Sequence, residues 1–135
     1  MKINAGMVCC GDDMYYSMAR YAIRSFLDNN TDTKLYVWTD DVPRLEMATS
    51  GCHGENLAIE DFYEARKRLD SLSVARIIGN VGDAMYKRED HGMIHAQAYV
   101  AVLPLLLENT HADYKLKLDV DEYFVGDVMK ELREH

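Results

Sequence analysis

An apolar segment that ends in acidic residues and continues as a helix occurs twice near the start of this chain. Residues 3–10 are apolar except for Asn4, and a Gly-Asp-Asp turn follows at 11–13. Residues 34–39 have the composition of a strand, and two aspartates follow at 40–41. Strands that alternate with helices typically pair in parallel, with the helices packed on the faces of the sheet. The sequence therefore predicts an α/β fold with a Rossmann-like, mainly parallel sheet flanked by helices.

The remaining elements follow from the spacing of apolar residues. Residues 13–28 place Tyr15, Met18, Ala22 and Phe26 at helical spacing, which predicts an amphipathic helix capped by Asp12 or Asp13. Further on, the sequence predicts a short helix that begins near Pro43, a weak strand over 56–59 and a charged surface helix over 59–72. A mostly apolar helix is predicted over 93–108, followed by a strand that reaches Asp119. A short extended piece over 123–125 and a terminal helix from 127 complete the predicted elements.

Length, charge and cysteine content restrict the class of protein. The 135 residues fit one domain with a sizeable core. The net charge of −8 argues against nucleic acid or an anionic membrane as partner, because both attract basic surfaces. The odd count of three cysteines without paired spacing predicts no disulfide framework and favours a cytoplasmic location. We expect no signal peptide and no membrane span, since no apolar run is long enough.

The strand that follows the apolar helix ends in two carboxylates. Leu116 and Leu118 alternate with lysines, and Asp119 and Asp121 follow. In an extended strand the side chains of residues i and i+2 point to the same face, so the two aspartates are expected to project together. Two hard oxygen ligands suit Mg²⁺ or Mn²⁺, and such a metal can hold a diphosphate. The alternative is a solvated acidic turn, because exposed aspartate pairs are common.

The order of these features resembles the opening of a GT-A glycosyltransferase, most similar to the family-8 type. The resemblance rests on the first strand with its Gly11-Asp12-Asp13-Met14-Tyr15 turn, the following helix, the second strand with Thr39-Asp40, and the segment 113–128, which contains Asp119-Val120-Asp121 and then Phe124-Val125-Gly126-Asp127. It implies a metal-dependent transferase that retains anomeric configuration. The donor would be a nucleotide sugar, expected to be UDP-linked, and the acceptor an unknown sugar, protein or lipid.

The resemblance also implies roles for single residues. Asp119 would contact the donor ribose and reach the metal, and Asp121 would bind Mn²⁺ or Mg²⁺ directly. Cys10 and Gly11 would approach the base through backbone groups, because glycine permits close approach. The resemblance does not identify a catalytic nucleophile or base in this chain.

Asp12 and Tyr15 each have two interpretations, and the segment around His95 departs from the family. Asp12 could accept a hydrogen bond from the base or ribose, or it could only cap the helix. Tyr15 could stack on the base or belong to the core. His95 would line the donor pocket at the start of the apolar helix, where the family often carries a basic residue; Lys87, Arg88 or Gln97 could also take that place.

The chain ends soon after Asp121, whereas the family continues into a half that builds the acceptor site. We therefore expect residues 1–135 to be a single nucleotide-sugar-binding domain, truncated at its acceptor half or naturally minimal. Lys115 and Lys117 predict that one face of their strand is open to solvent or is covered late. The rival functions are a non-catalytic nucleotide-binding fragment and a phosphatase of the haloacid-dehalogenase type with Asp119 as nucleophile.

Overall fold

Within the described residues, four parallel strands form one sheet. The structure is a computed structural model, and it describes residues 2–52, 54–69, 76, 102–108, 110–124 and 126. The strands are β1 (Ile3–Cys9), β2 (Lys34–Thr39), β3 (Leu57–Asp61) and β4 (Tyr114–Lys117), in the spatial order β3-β2-β1-β4. Helices lie between them in the chain and pack on both faces of the sheet. The predicted Rossmann-like α/β arrangement is confirmed.

Three helices begin directly after an aspartate that caps them. They are α1 (Asp13–Asn29), α2 (Val42–Ala48) and α3 (Phe62–Lys67). The cap residues Asp12, Asp41 and Asp61 each accept a hydrogen bond from a backbone N–H of the first turn. The charged helix predicted over 59–72 begins later than expected, because β3 continues to Asp61 and only then is the helix capped.

α1 covers one face of the sheet with a buried stripe that includes Tyr16, Ala19 and Ile23. Tyr15 and Met18, which the spacing placed on the apolar face, are only half-buried. The predicted helix is confirmed, as is the burial of Ala22 and Phe26, but Tyr16 is buried in place of Tyr15, and Ala19 in place of Met18. Apolar residues stand in adjacent pairs along this helix, so the pattern defines a broad stripe without a clear centre.

The opposite face of the sheet packs against α3 and against residues 102–108, which are helical. Val8 and Trp38 contribute from the strands, and Phe62 and Leu107 contribute from the helices. This helical segment is the described part of the apolar helix predicted over 93–108; residues 93–101 lie outside the described residues. Among the residues that the structure does describe, no helix combines the length and apolar character needed to cross a bilayer.

Gly6 lies where β1 meets the 102–108 helix. A Cβ at this position would stand 2.6 Å from Leu107 Cδ2 and 3.1 Å from Trp38 Cζ3. We expect Gly6→Ala to lower the free energy of unfolding by about 1–3 kcal/mol, because the added methyl overpacks a buried contact. Gly54→Ala is the matched control, since no atom lies within 4 Å of its Cβ position. Urea unfolding measures both, and equal midpoints for the two variants would contradict this packing.

Candidate functional site at the carboxyl edge of the sheet

The carboxyl ends of the strands lie at one edge of the sheet because the strands are parallel. β1 pairs with both β2 and β4, so the segments that follow these three strands are neighbours at that edge. They are 10–13 after β1, 40–41 after β2 and 118–122 after β4. Ligands of open α/β sheets bind beyond this edge. Cys10, Gly11 and Asp12 follow β1 at this edge. Asp119 and Asp121 follow the neighbouring strand β4, whose last residue Lys117 lies opposite Gly6, three residues before the end of β1. His95 lies outside the described residues.

The turn between β1 and α1 is built on Gly11. Its φ of +118° is one that side chains rarely adopt, and a Cβ there would stand 2.9 Å from Tyr15 Cδ2. The Tyr15 ring thus packs against the turn itself while it remains half-buried. The Asp12 side chain accepts the Met14 N–H at 3.1 Å, which confirms Asp12 as the N-cap of α1. A ligand contact by Asp12 or Tyr15 stays a prediction.

Asp40 joins the end of β2 to this turn. One carboxylate oxygen accepts the Gly11 N–H at 3.1 Å, and the other accepts the hydroxyl of Tyr16. The Tyr16 hydroxyl also lies 3.0 Å from Thr39 Oγ1. Burial, and after it the hydrogen bond to Asp40, raise the pKa of Tyr16 well above its usual range, so the hydroxyl stays protonated as a donor.

Sequence reasoning missed Asp40 and Tyr16 as parts of the site. The order Thr39-Asp40 after a strand was the available signal, but the spacing along the chain does not show which turn the carboxylate contacts. Asp40 and Gly11 are 29 positions apart, and their contact depends on the parallel pairing of β1 with β2. That pairing places Cys9 opposite Thr39 at the carboxyl ends of β1 and β2. The segments that contain Gly11 and Asp40 therefore leave the sheet side by side.

Arg44 of α2 places a positive charge beside this network. Its guanidinium lies 4.4 Å from the centre of the Tyr16 ring, a cation–π distance, and forms an ion pair with Asp13. Asp41 fixes the start of α2 by accepting the Arg44 backbone N–H at 3.1 Å. Arg44 therefore offsets part of the negative charge that the aspartates place at the edge.

The segment after β4 differs from the prediction. The strand ends at Lys117, and Val120 and Asp121 lie in a turn. The Asp119 N–H donates to Glu122 Oε1 at 2.7 Å, and the Glu122 N–H donates to the Asp119 carbonyl at 3.3 Å. The expectation that the strand extends to Asp119 and Asp121 is wrong, because β4 ends at Lys117 and this pair of hydrogen bonds closes a turn. That the two carboxylates project together stays a prediction. Both aspartates are exposed.

The face of β4 that carries Lys115 and Lys117 is open, as predicted. Both side chains are exposed. The Lys115 ammonium reaches the carbonyl of Glu108 at 3.2 Å, at the end of the 102–108 helix. A cation at a helix carboxyl end interacts favourably with the free carbonyls there.

Two exposed carboxylates are a donor set typical of Mg²⁺ rather than of structural zinc. Mg²⁺ is typically held by one or two carboxylates together with substrate phosphates and water, and the exposed Asp119 and Asp121 would supply the carboxylates of such a set. A closed, zinc-type site needs about four protein ligands. In the described part of the chain, no group of three or more His, Cys, Asp or Glu residues could hold a metal. A cation at these two carboxylates would therefore need further ligands from a phosphate and from water.

Cys9 and Cys10 are buried next to this edge and are poor nucleophiles. Burial, with the charge of Asp40 as a second cause, raises the pKa of the Cys9 thiol to about 12. The same two causes raise the pKa of Cys10. The thiolate is the reactive form of cysteine, so both residues are unsuited to catalysis by thiolate attack.

We expect a thiol reagent such as Ellman's reagent to modify the native protein with one fast phase, from the half-exposed Cys52. Cys9 and Cys10 should react only when the protein is unfolded, because both are at most 4% exposed. Cys52→Ser serves as the control and should remove the fast phase. A fast phase that persists in Cys52→Ser would contradict the buried positions of the other two thiols.

Comparison with known proteins bears on the fold. No family model matches the chain, and no curated protein matches it. Among solved structures, a protein described as PaToxG glycosyltransferase superposes with a TM-score of 0.55 over 93% of this chain. The fold is glycosyltransferase-like. At 16% identity the similarity concerns the fold alone, and this chain spans 44% of the length of that protein. Membership in family 8 stays a prediction.

Proposed function

We propose that the carboxyl edge of this sheet binds a nucleoside-diphosphate sugar together with a divalent cation, and that the chain acts in glycosyl transfer. One observation carries the proposal: a turn with two exposed carboxylates, Asp119 and Asp121, follows the strand next to the Gly11 turn in a glycosyltransferase-like fold. The resemblance to family 8 makes uridine the first base to test.

In this proposal the two turns bind different parts of the donor. The β1–α1 turn would bind the base. Gly11 has no side chain that would keep a ligand away from its backbone, and the exposed part of the Tyr15 ring would stack on the base. Asp119 and Asp121 would hold Mn²⁺ or Mg²⁺ against the diphosphate. A cation held there supplies Lewis-acid assistance to the departure of the nucleoside diphosphate.

The charge of the site makes binding depend on a cation. Asp12, Asp119 and Asp121 are exposed carboxylates near the proposed diphosphate, and the chain carries a net charge of −8. The guanidinium of Arg44 is already paired with Asp13. A diphosphate alone would meet net repulsion, and a bound divalent cation inverts the local charge.

Thermal unfolding with a panel of nucleotides tests this function. UDP, GDP, ADP and their sugar conjugates are each added with Mn²⁺ and with a chelator. A ligand at about 100 times its Kd stabilises the folded state by about 2.7 kcal/mol, which raises the Tm by several degrees. We expect that rise for UDP or UDP-sugars with Mn²⁺ and a much smaller one with chelator.

Two results would argue against the proposal. One is that no nucleotide raises the Tm in either condition. The other is covalent trapping of Asp119 by a phosphate analogue such as beryllofluoride, which would favour the phosphatase with Asp119 as nucleophile.

A further inference from the structure

The loop that carries Asp119 and Asp121 is fixed at both ends. At its start, Leu118 is 3% exposed in the core and donates its N–H to the Gly6 carbonyl at 2.8 Å. At its end, Phe124 is 8% exposed and packs edge-to-face on Phe26, with ring centres 5.2 Å apart. The two fixed residues thus enclose a short loop whose acidic side chains are exposed.

Two polar side chains of α1 also bind the backbone of Phe124, at the end of the loop. Ser25 Oγ accepts the Phe124 N–H at 3.0 Å. Asn29 Nδ2 donates to the Phe124 carbonyl at 3.0 Å. Both backbone groups of Phe124 are therefore bound by the carboxyl-terminal half of α1.

The attachment is itself held in place. Ser25 is 5% exposed, and its hydroxyl donates to the Ala22 carbonyl at 3.1 Å, which leaves the oxygen free to accept from Phe124. Asn29 Nδ2 also donates to the Ser25 carbonyl at 2.7 Å. A serine on the buried face of a helix costs stability unless it is hydrogen-bonded, and here its partner is the end of the acidic loop.

We propose that Ser25 and Asn29 are positioning residues for the Asp119–Asp121 metal site, an inference that rests on the proposed function. Asp121 is three residues from Phe124, so a shift of Phe124 changes where the carboxylate stands. The affinity of a metal site depends on groups that orient its ligands, and loss of one such group typically weakens binding by about 10–100-fold. Ser25 and Asn29 act at this site through Phe124, without touching the metal.

The test compares Mn²⁺ binding with folding in the same variants. Free and bound Mn²⁺ are separated by electron paramagnetic resonance at a temperature well below each variant's Tm, and circular dichroism gives the Tm. The variants are Ser25→Ala and Asn29→Ala, with Ser25→Thr as the conservative replacement that keeps the hydroxyl. Ser17→Ala, an exposed serine on the same helix, is the matched control.

We expect Ser25→Ala and Asn29→Ala each to weaken Mn²⁺ binding about tenfold while the protein remains folded. Ser25→Thr should restore most of the affinity, and Ser17→Ala should leave it unchanged. If Ser25→Ala and Asn29→Ala lower the Tm but bind Mn²⁺ as the native chain does, the positioning role is overturned and the proposed function stands. If the native chain binds Mn²⁺ neither alone nor in the presence of UDP, the proposed function fails, and the positioning role fails with it.

Discussion

Asp121→Asn is expected to remove metal-dependent nucleotide binding, with Mn²⁺ affinity lowered at least about tenfold, and to leave the fold intact. The substitution keeps the size of the side chain but removes the charge that a hard cation requires. Asp121 is exposed, and surface substitutions usually change the free energy of unfolding by less than about 0.5 kcal/mol. The expected pattern is therefore a large change in binding with almost none in stability.

Glu55→Gln is the matched control for Asp121→Asn. It also neutralises one exposed carboxylate, but it lies just before β3, at the opposite edge of the sheet. Calorimetry of UDP in the presence of Mn²⁺ measures both variants. Equal affinity in the two variants would mean that charge in general, and not the Asp119–Asp121 turn, governs binding.

Asp40→Ala is expected to weaken both folding and nucleotide binding. It takes the carboxylate acceptor from the Gly11 N–H and from the Tyr16 hydroxyl. Loss of a partner at a buried polar group costs about 1–3 kcal/mol, and the Tyr16 hydroxyl keeps Thr39 as a neighbour, so we expect a loss within that range. Because the Gly11 N–H loses its acceptor, the turn is less well fixed. UDP affinity should therefore fall by more than the increase in unfolded protein explains.

Asp41→Ala separates the two effects of Asp40→Ala. It removes the cap of α2, which costs about 1 kcal/mol, but it leaves the acceptor of the Gly11 N–H in place. Urea unfolding and calorimetry are applied to both variants at a temperature where both are folded. If Asp41→Ala reduces UDP affinity as much as Asp40→Ala does, the contact between Asp40 and Gly11 has no special part in the site.

The sequence predicted the order of strands and helices well where composition and capping agree. β2 covers the predicted residues 34–39, and α1 begins directly after a predicted cap residue. Local signals are sufficient there, because a strand-forming run or a capping aspartate acts within a few residues. The same signals gave the parallel sheet and the edge at which the candidate site lies.

The details of the site depend on contacts that local patterns do not contain. The turn at Asp119 exists because Glu122 binds back to it, and its far end is held by Ser25, 99 positions earlier in the chain. Asp40 likewise reaches Gly11 through the pairing of two strands. A periodic pattern could predict that carboxylates meet at one edge, but not which of them is held by the backbone and which is free to bind a ligand.

Calorimetric titration of UDP into the native chain, with Mn²⁺ in one experiment and a chelator in the other, tests the central claim most directly. We expect saturable binding with Mn²⁺ and at least about tenfold weaker binding with chelator, because the exposed carboxylates repel an unaccompanied diphosphate. Equal affinity in the two experiments, or no binding of UDP in either, would contradict a cation-dependent nucleotide site at Asp119 and Asp121.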